Sequence, residues 1–271
     1  MGTEGIKAIS YHLARISPIP FPKLRQQCGR RPTHAAPMAR QPRLELAGVP
    51  LHVTQRGVNR CAIFLDDADR HHYRRVLRDA CDKYDVAIHA FVLMDNHVHL
   101  LVGATIAGRV SQAMRKAGQT YVQSFNHRHG RVGTLWQGRF KSSLVDSDGY
   151  ALRLIRYIEL NPVRTAMVER PEDYRWSSVH THLGAAQDPL LTPCAVYLGL
   201  GADRTGRANA YRNWLHARLE PDELARIRAY LAQEKALGNP RFQAMVAKAL
   251  GRPVAVRPRG RPRQDVRSEL G

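Results

Sequence analysis

Apolar residues along this chain switch between strand-like runs and the three-and-four spacing of helices, and the switches mark out its elements. Residues 50 to 65, PLHVTQRGVNRCAIFL, hold two short strand-like runs around a Gly/Asn turn. From Asp66 the pattern is helical: Tyr73, Val76, Leu77, Ala80, Cys81 and Tyr84 share one face, and Asp66, Asp67 and Asp69 suit the positive N-terminal end. Residues 86 to 102 return to strand material, broken around Asp95-Asn96, which predicts a hairpin. A second helix is expected over about residues 110 to 125, with Val110, Met114, Ala117, Tyr121 and Phe125 inward and Arg115 and Lys116 among the outward positions.

The order strand, helix, strand, strand, helix suits an α+β fold of ferredoxin-like type: an antiparallel sheet with helices packed on one face. A third helix is expected over about residues 148 to 161, ended by Pro162, which disfavours the α region in the residue before it. Residues 162 to 205 are mixed, and residues 209 to 250 read as helical again, with two helices separated by KALGNP. There is no internal repeat.

Charge changes the picture most. The 42 Lys and Arg against 23 Asp and Glu give a net +19, a surplus that attracts polyanions, nucleic acid first among them. An anionic membrane surface is the alternative, but no run approaches 18 uninterrupted apolar residues and no signal peptide is recognisable. The four cysteines (Cys28, Cys61, Cys81, Cys194) form no C-x-x-C pair, which argues against a disulfide framework and fits a reducing, cytoplasmic setting. Both ends are basic and proline-rich, so residues 1–37 and 252–271 read as disordered arms; Met38 is itself a natural-looking start, and the first arm is then an upstream extension. That leaves a main domain over residues 38–183 and a helical C-terminal region over 184–251.

Within the predicted hairpin stands MDNHVHLLV, residues 94–102, where His97 and His99 interrupt a run of core-type residues. On a strand, residues two apart point to one face, so these two imidazoles can reach one metal ion. Ordinary structural histidines have the same spacing, and the pairs His127/His129 and His180/His182 show it too. The former pair lies at a helix end, where the rings diverge; the latter reads as surface. On the third helix, DGYALRLIRYIELNPVR, the apolar stripe is Ala151, Leu154, Ile155 and Ile158, with Tyr150, Tyr157 and Asn161 beside it. That flank serves equally as an edge of the core or as a reactive phenol with an amide.

MDNHVHLLV, then LWQGRFKSSLVDSDGYALRLIRYIELNPVRTAMV, then PEDYRWSS resemble the core of the REP-associated tyrosine transposases, single-tyrosine members of the HUH single-strand DNA nucleases. The resemblance covers about residues 38 to 183, with the blocks in the family's order. It implies that His97, His99 and Asn161 hold a divalent ion, Mg2+ or Mn2+, and that Tyr157 is the nucleophile. Asn161 stands where many of the wider group carry Gln. The implied activity is cleavage and rejoining of single-stranded, hairpin-forming repetitive palindromic DNA through a 5′-phosphotyrosine. A homodimer is compatible with this, with the tyrosine helix serving its own subunit or its partner.

Recognition would fall to basic positions: Arg56 and Arg60 beside the first strand, Arg115 and Lys116 on the second helix, and Arg139 and Lys141 in TLWQGRFK. There Trp136 and Phe140 either stack unpaired bases or belong to the core. Arg259, Arg261 and Arg263 in PRGRPR match the core of a minor-groove hook or an unspecific basic tail. Two other readings remain open: a catalytically retired transposase that only binds DNA in the nucleoid, and a hydrolytic metallophosphoesterase that would tolerate loss of the tyrosine.

Overall fold

In the computed structural model of the chain, the described residues are 42–217 and 220–257. The N-terminal arm and Arg259, Arg261 and Arg263 of the tail therefore lie outside them. Elements follow in the order β1 (Leu51–Arg56), α1 (Asp67–Tyr84), β2 (Val86–Met94), β3 (His97–Ala104), α2 (Arg109–Arg128) and β4 (Lys141–Val145). This βαββαβ succession, with sheet order β2-β3-β1-β4 and antiparallel pairing throughout, is the ferredoxin-like arrangement expected. The second strand-like run after Arg56 is not a strand. Val58–Arg60 forms a tight 3-10 turn with Asn59 and Arg60 at positive φ, and Ile63 and Phe64 enter the core from a loop.

Local chemistry accounts for the boundaries. Asp66 caps α1 by accepting the Asp69 amide at 2.9 Å, and Asp85 ends the helix in the left-handed region. The hairpin turns at Asp95-Asn96 as predicted. α1 and α2 pack together over the sheet face that carries Val53, Gln55, Val98 and Leu100, with Gly118 close against the Gln55 amide. A side chain at 118 would come within 3.4 Å of that amide and of the Trp136 indole, which explains the glycine.

The remaining elements build the other face. They are α3 (Ser147–Glu159), α4 (Asn161–Arg164), α5 (Val179–His182), α6 (Ala195–Leu198), α7 (Arg204–His216), α8 (Pro221–Ala232), β5 (Ala236–Leu237) and α9 (Pro240–Leu250). α3 stops at Leu160 instead of running to Asn161. Pro162 does not end the helical path; it opens α4, where its missing N–H costs nothing. β5, inside KALGNP where only a break between helices was expected, pairs parallel with β4 and extends the sheet to five strands. The C-terminal region, helical apart from β5, thus also adds a strand to the sheet. Among the described residues no helix is long and apolar enough to cross a membrane.

Candidate active site

Strand alternation does what the sequence promised for the histidines. Arg56 pairs with His97 and Thr54 with His99, so Thr54, Arg56, His97 and His99 share one sheet face, and His52 follows two residues along β1. All three rings are buried. Asn96 donates from Nδ2 to the Arg60 carbonyl at 3.2 Å, which leaves its oxygen to accept the His97 Nδ1 proton at 2.6 Å. The lone pair of His97 is then on Nε2. His99 Nδ1 lies 2.8 Å from His52 Nε2, and a proton on His99 Nδ1 leaves its Nε2 as a lone pair as well.

Burial holds these rings neutral: desolvation pushes His52 down to about 3 and His97 down to about 4, with Arg164 and Arg56 respectively adding to the effect. His99 lies well below the usual range for the same first reason, reinforced by its two histidine neighbours. Neutral imidazoles whose second nitrogen is held by a neighbour are the form in which histidine binds metal.

α3 brings the phenol to this face. Tyr157 is 5% exposed and sets its ring edge-on to His52 and His99, at centroid distances of 5.8 and 5.9 Å. Tyr157, Asn161, His97 and His99 line one cavity of about 560 Å³. Asn161 is buried, and its Nδ2 has no partner among the described residues. Arg56, Arg139, Lys141 and Arg228 also line the cavity, and among the described residues no carboxylate does. Among the described residues no group of three or more His, Cys, Asp or Glu is placed to hold a metal. A cation here would rest on two imidazoles and an amide oxygen. The freed Nε2 lone pairs and the carbonyl oxygen of the Asn161 amide suit such a donor set, with the anionic ligand making up the charge.

Other predicted positions fall elsewhere. Tyr150 packs under Arg153 and Arg226, outside the cavity. Arg60 is exposed at the turn that holds Asn96. Arg115, Lys116, Trp136 and Arg139 line a second cavity of about 690 Å³ beside α2, so Arg139 borders both. Trp136 is only 8% exposed and donates its indole N–H to the Gly118 carbonyl, and Phe140 is buried beneath the Arg43 guanidinium; of the two readings for these aromatics, the structure has them packed. His129 sits against Asp69. His182, expected at the surface, is buried with Nδ1 at 2.6 Å from Glu159.

Among the groups at the site that escaped the sequence are His52, Asn96 and Arg228. His52 carried a usable signal, since an imidazole in an apolar strand run is as unusual there as in MDNHVHLLV. Arg228 carried none, because only the tertiary fold brings α8 to the cavity.

Residues 47–161 match the model of a family described as Transposase IS200 like, a span that ends on Asn161. Over 123 residues the chain is 27% identical to a Haemophilus influenzae protein named, provisionally, a REP-associated tyrosine transposase; the alignment covers 42% of this chain and 70% of that one. A solved structure of a REP-associated tyrosine transposase bound to a REP hairpin is similar at 20% identity and a TM-score of 0.46, covering 59% of this chain and 93% of its own. A second, a provisionally assigned transposase from Deinococcus radiodurans, is 21% identical with a TM-score of 0.32, covering 45% and 96%.

Proposed function

We propose that the chain, whose residues 47–161 match the family model described as Transposase IS200 like, cleaves and rejoins single-stranded, hairpin-forming DNA with Tyr157 as nucleophile. The observation that carries the reading is the cavity in which Tyr157, His97, His99 and Asn161 meet, lined among the described residues by four cationic side chains and no acidic one. Such a lining attracts phosphates, whose charge offsets that of a bound metal ion.

The chain's own groups divide the work. Arg56, Arg139, Lys141 and Arg228 draw the DNA backbone in and hold a phosphodiester at the cavity. Tyr157 is fixed against the His52 and His99 rings by α3, so its hydroxyl is presented with little freedom left to lose. Its oxygen attacks phosphorus, the P–O3′ bond breaks, the phenol gives up its proton and the departing 3′ oxygen takes one. The product is a 5′-phosphotyrosine, which a second 3′ hydroxyl can attack to rejoin strands without a nucleotide cofactor. His97, His99 and Asn161 would hold a magnesium or manganese ion, whose chemistry is to polarise the phosphate and steady the leaving oxygen.

The test is a covalent adduct between the protein and labelled single-stranded hairpin DNA. Tyr157→Phe is expected to abolish it and Tyr150→Phe to retain it. His97→Ala, or excess chelator, is expected to abolish cleavage while hairpin binding stays within a few-fold, because phosphate contacts elsewhere carry affinity. Hairpin binding without any adduct from the unaltered protein would leave a DNA-binding protein without chemistry. Cleavage that survives Tyr157→Phe would point to hydrolysis.

A further inference from the structure

Behind Tyr157 stands a cation that neither the proposed metal ligands nor the cavity lining accounts for. Arg164 closes α4, and its guanidinium carbon lies 4.2 Å from the centroid of the Tyr157 ring. Its Nε, Nη1 and Nη2 are all buried and meet no carboxylate or carbonyl among the described residues; the polar group that favours its charge is the Tyr157 hydroxyl itself. Arg156, the buried arginine on the preceding helix, gives the contrast: it reaches the Trp214 carbonyl at 3.1 Å and the Glu223 carboxylate at 3.2 Å. The charged groups around Arg164 make matters worse. Arg228 is another cation, and His52 and His99 are held neutral partly by Arg164 itself.

A buried guanidinium without an anion is costly, because its lost hydration is not replaced. Nothing in the folding of α4 requires it: the helical turn is closed by backbone bonds from Arg164 and Thr165 to Leu160 and Asn161. Stacking on the phenol occupies one face of the guanidinium plane, and beyond the Tyr157 hydroxyl the N–H edge meets no acceptor anion among the described residues. Such a planar fork beside a nucleophile matches the non-bridging oxygens of a phosphate.

We propose that Arg164 is a further catalytic residue, whose N–H edge receives the non-bridging oxygens of the phosphoryl group that becomes joined to Tyr157. This rests on the reading of Tyr157 as the nucleophile. In that step the Tyr157 O–P bond forms, the P–O3′ bond breaks, and one proton passes from the phenol side to the departing 3′ oxygen. The single negative charge of the diester is carried into the tyrosyl ester, and more charge accumulates on its oxygens as phosphorus becomes five-coordinate. A fixed cation that waits without an anion is stabilising there and not in the free protein, which is how a preorganised site favours the transition state.

The experiment compares the full chain with Arg164→Ala, Arg164→Lys and Tyr157→Phe on labelled single-stranded hairpin DNA. It reads the single-turnover rate of adduct formation, hairpin affinity, and the melting temperature without DNA. Arg164→Ala and Arg164→Lys are expected to bind within a few-fold of the unaltered protein and to form adduct about 100-fold more slowly or worse. Millimolar methylguanidinium should restore much of the Arg164→Ala rate and none of the Tyr157→Phe rate. The melting temperature of Arg164→Ala should be unchanged or higher, since an uncompensated cation has been removed. Adduct formation by Arg164→Ala at the normal rate overturns the proposal, and so does a lowered melting temperature without chemical rescue, which would make Arg164 a packing residue. If Tyr157→Phe still forms adduct, or the unaltered protein forms none, the reading of Tyr157 fails and takes this proposal with it; loss of adduct in Tyr157→Phe beside a normal rate in Arg164→Ala sinks the Arg164 role alone.

Discussion

His52 shows how a single side chain ties this site to the stability of the fold. It is buried, it bonds to His99, and desolvation pushes it down to about 3. In the unfolded chain the same group titrates near about 6.5. Between those values the unfolded state binds more protons than the folded one, so stability rises with pH across the window and is level above it; the contribution is lost as pH falls from about 6.5 toward 3. The slope is about 1.4 kcal/mol per pH unit for each such group. His52→Leu should therefore flatten the stability profile, with the unaltered protein losing about 2 kcal/mol more than the variant between pH 6.5 and 5 in urea melts. Parallel profiles would show that His52 is not buried neutral. Legibility at this scale follows local pattern: His97 and His99 were visible because strand alternation is a local rule, and Tyr157 and Asn161 because a resemblance singled them out. Asn96 was quoted in the motif without a role, because its effect on His97 depends on the Arg60 carbonyl across the turn.

The helix that carries Tyr157 is held from behind by charge, and that was the least legible feature of the chain. Its apolar stripe was read correctly, but Arg156 and Glu159 would ordinarily face water and are buried here. Glu159 accepts from Ser178 at 2.5 Å and Tyr211 at 2.6 Å and meets His182 at 2.6 Å; Arg156 stacks over Trp214. These partners lie 19 to 58 residues away, so no local period could announce them. The same limit hid β5, which is two residues long and defined only by its pairing with β4. Removing one member of such a buried cluster strands the rest. Glu159→Ala should cost about 3 kcal/mol or more by chemical denaturation, and Glu159→Gln distinctly less because it keeps acceptor capacity for the two hydroxyls. Equal losses for the two variants would mean that volume, not polarity, sets the cost. Tyr157 cleavage in the surviving folded fraction should fall as well, since α3 is then held by its apolar stripe and the Arg156 contacts without the Glu159 cluster.

For the molecule as a whole, the question is where charge assists DNA binding and where it is already committed to the fold. The sequence suggested that residues 252–271 could be removed as one basic arm. The structure divides that segment. Val254 is buried, its carbonyl accepts the Ala236 amide at 2.9 Å, and the Arg257 amide bonds to Gln233 at 2.8 Å. Residues up to 257 therefore hold β5 against β4, and with it the approach of α8 to the cavity. Beyond them the sequence adds Arg259, Arg261, Arg263 and Arg267 against Asp265 and Glu269. A chain ending at 257 should keep its melting temperature and its adduct rate at low salt. If those arginines meet phosphates, the slope of log affinity against log salt should flatten by about 1 to 3, taking about 0.7 for each contact to single-stranded DNA. A chain ending at 251 should instead lose several degrees of melting temperature and most of its adduct, because β5 loses its second neighbour and Arg228 its seat. If both truncations melted alike and differed only in salt dependence, the C-terminal segment would be an appendage and the cavity would not depend on it.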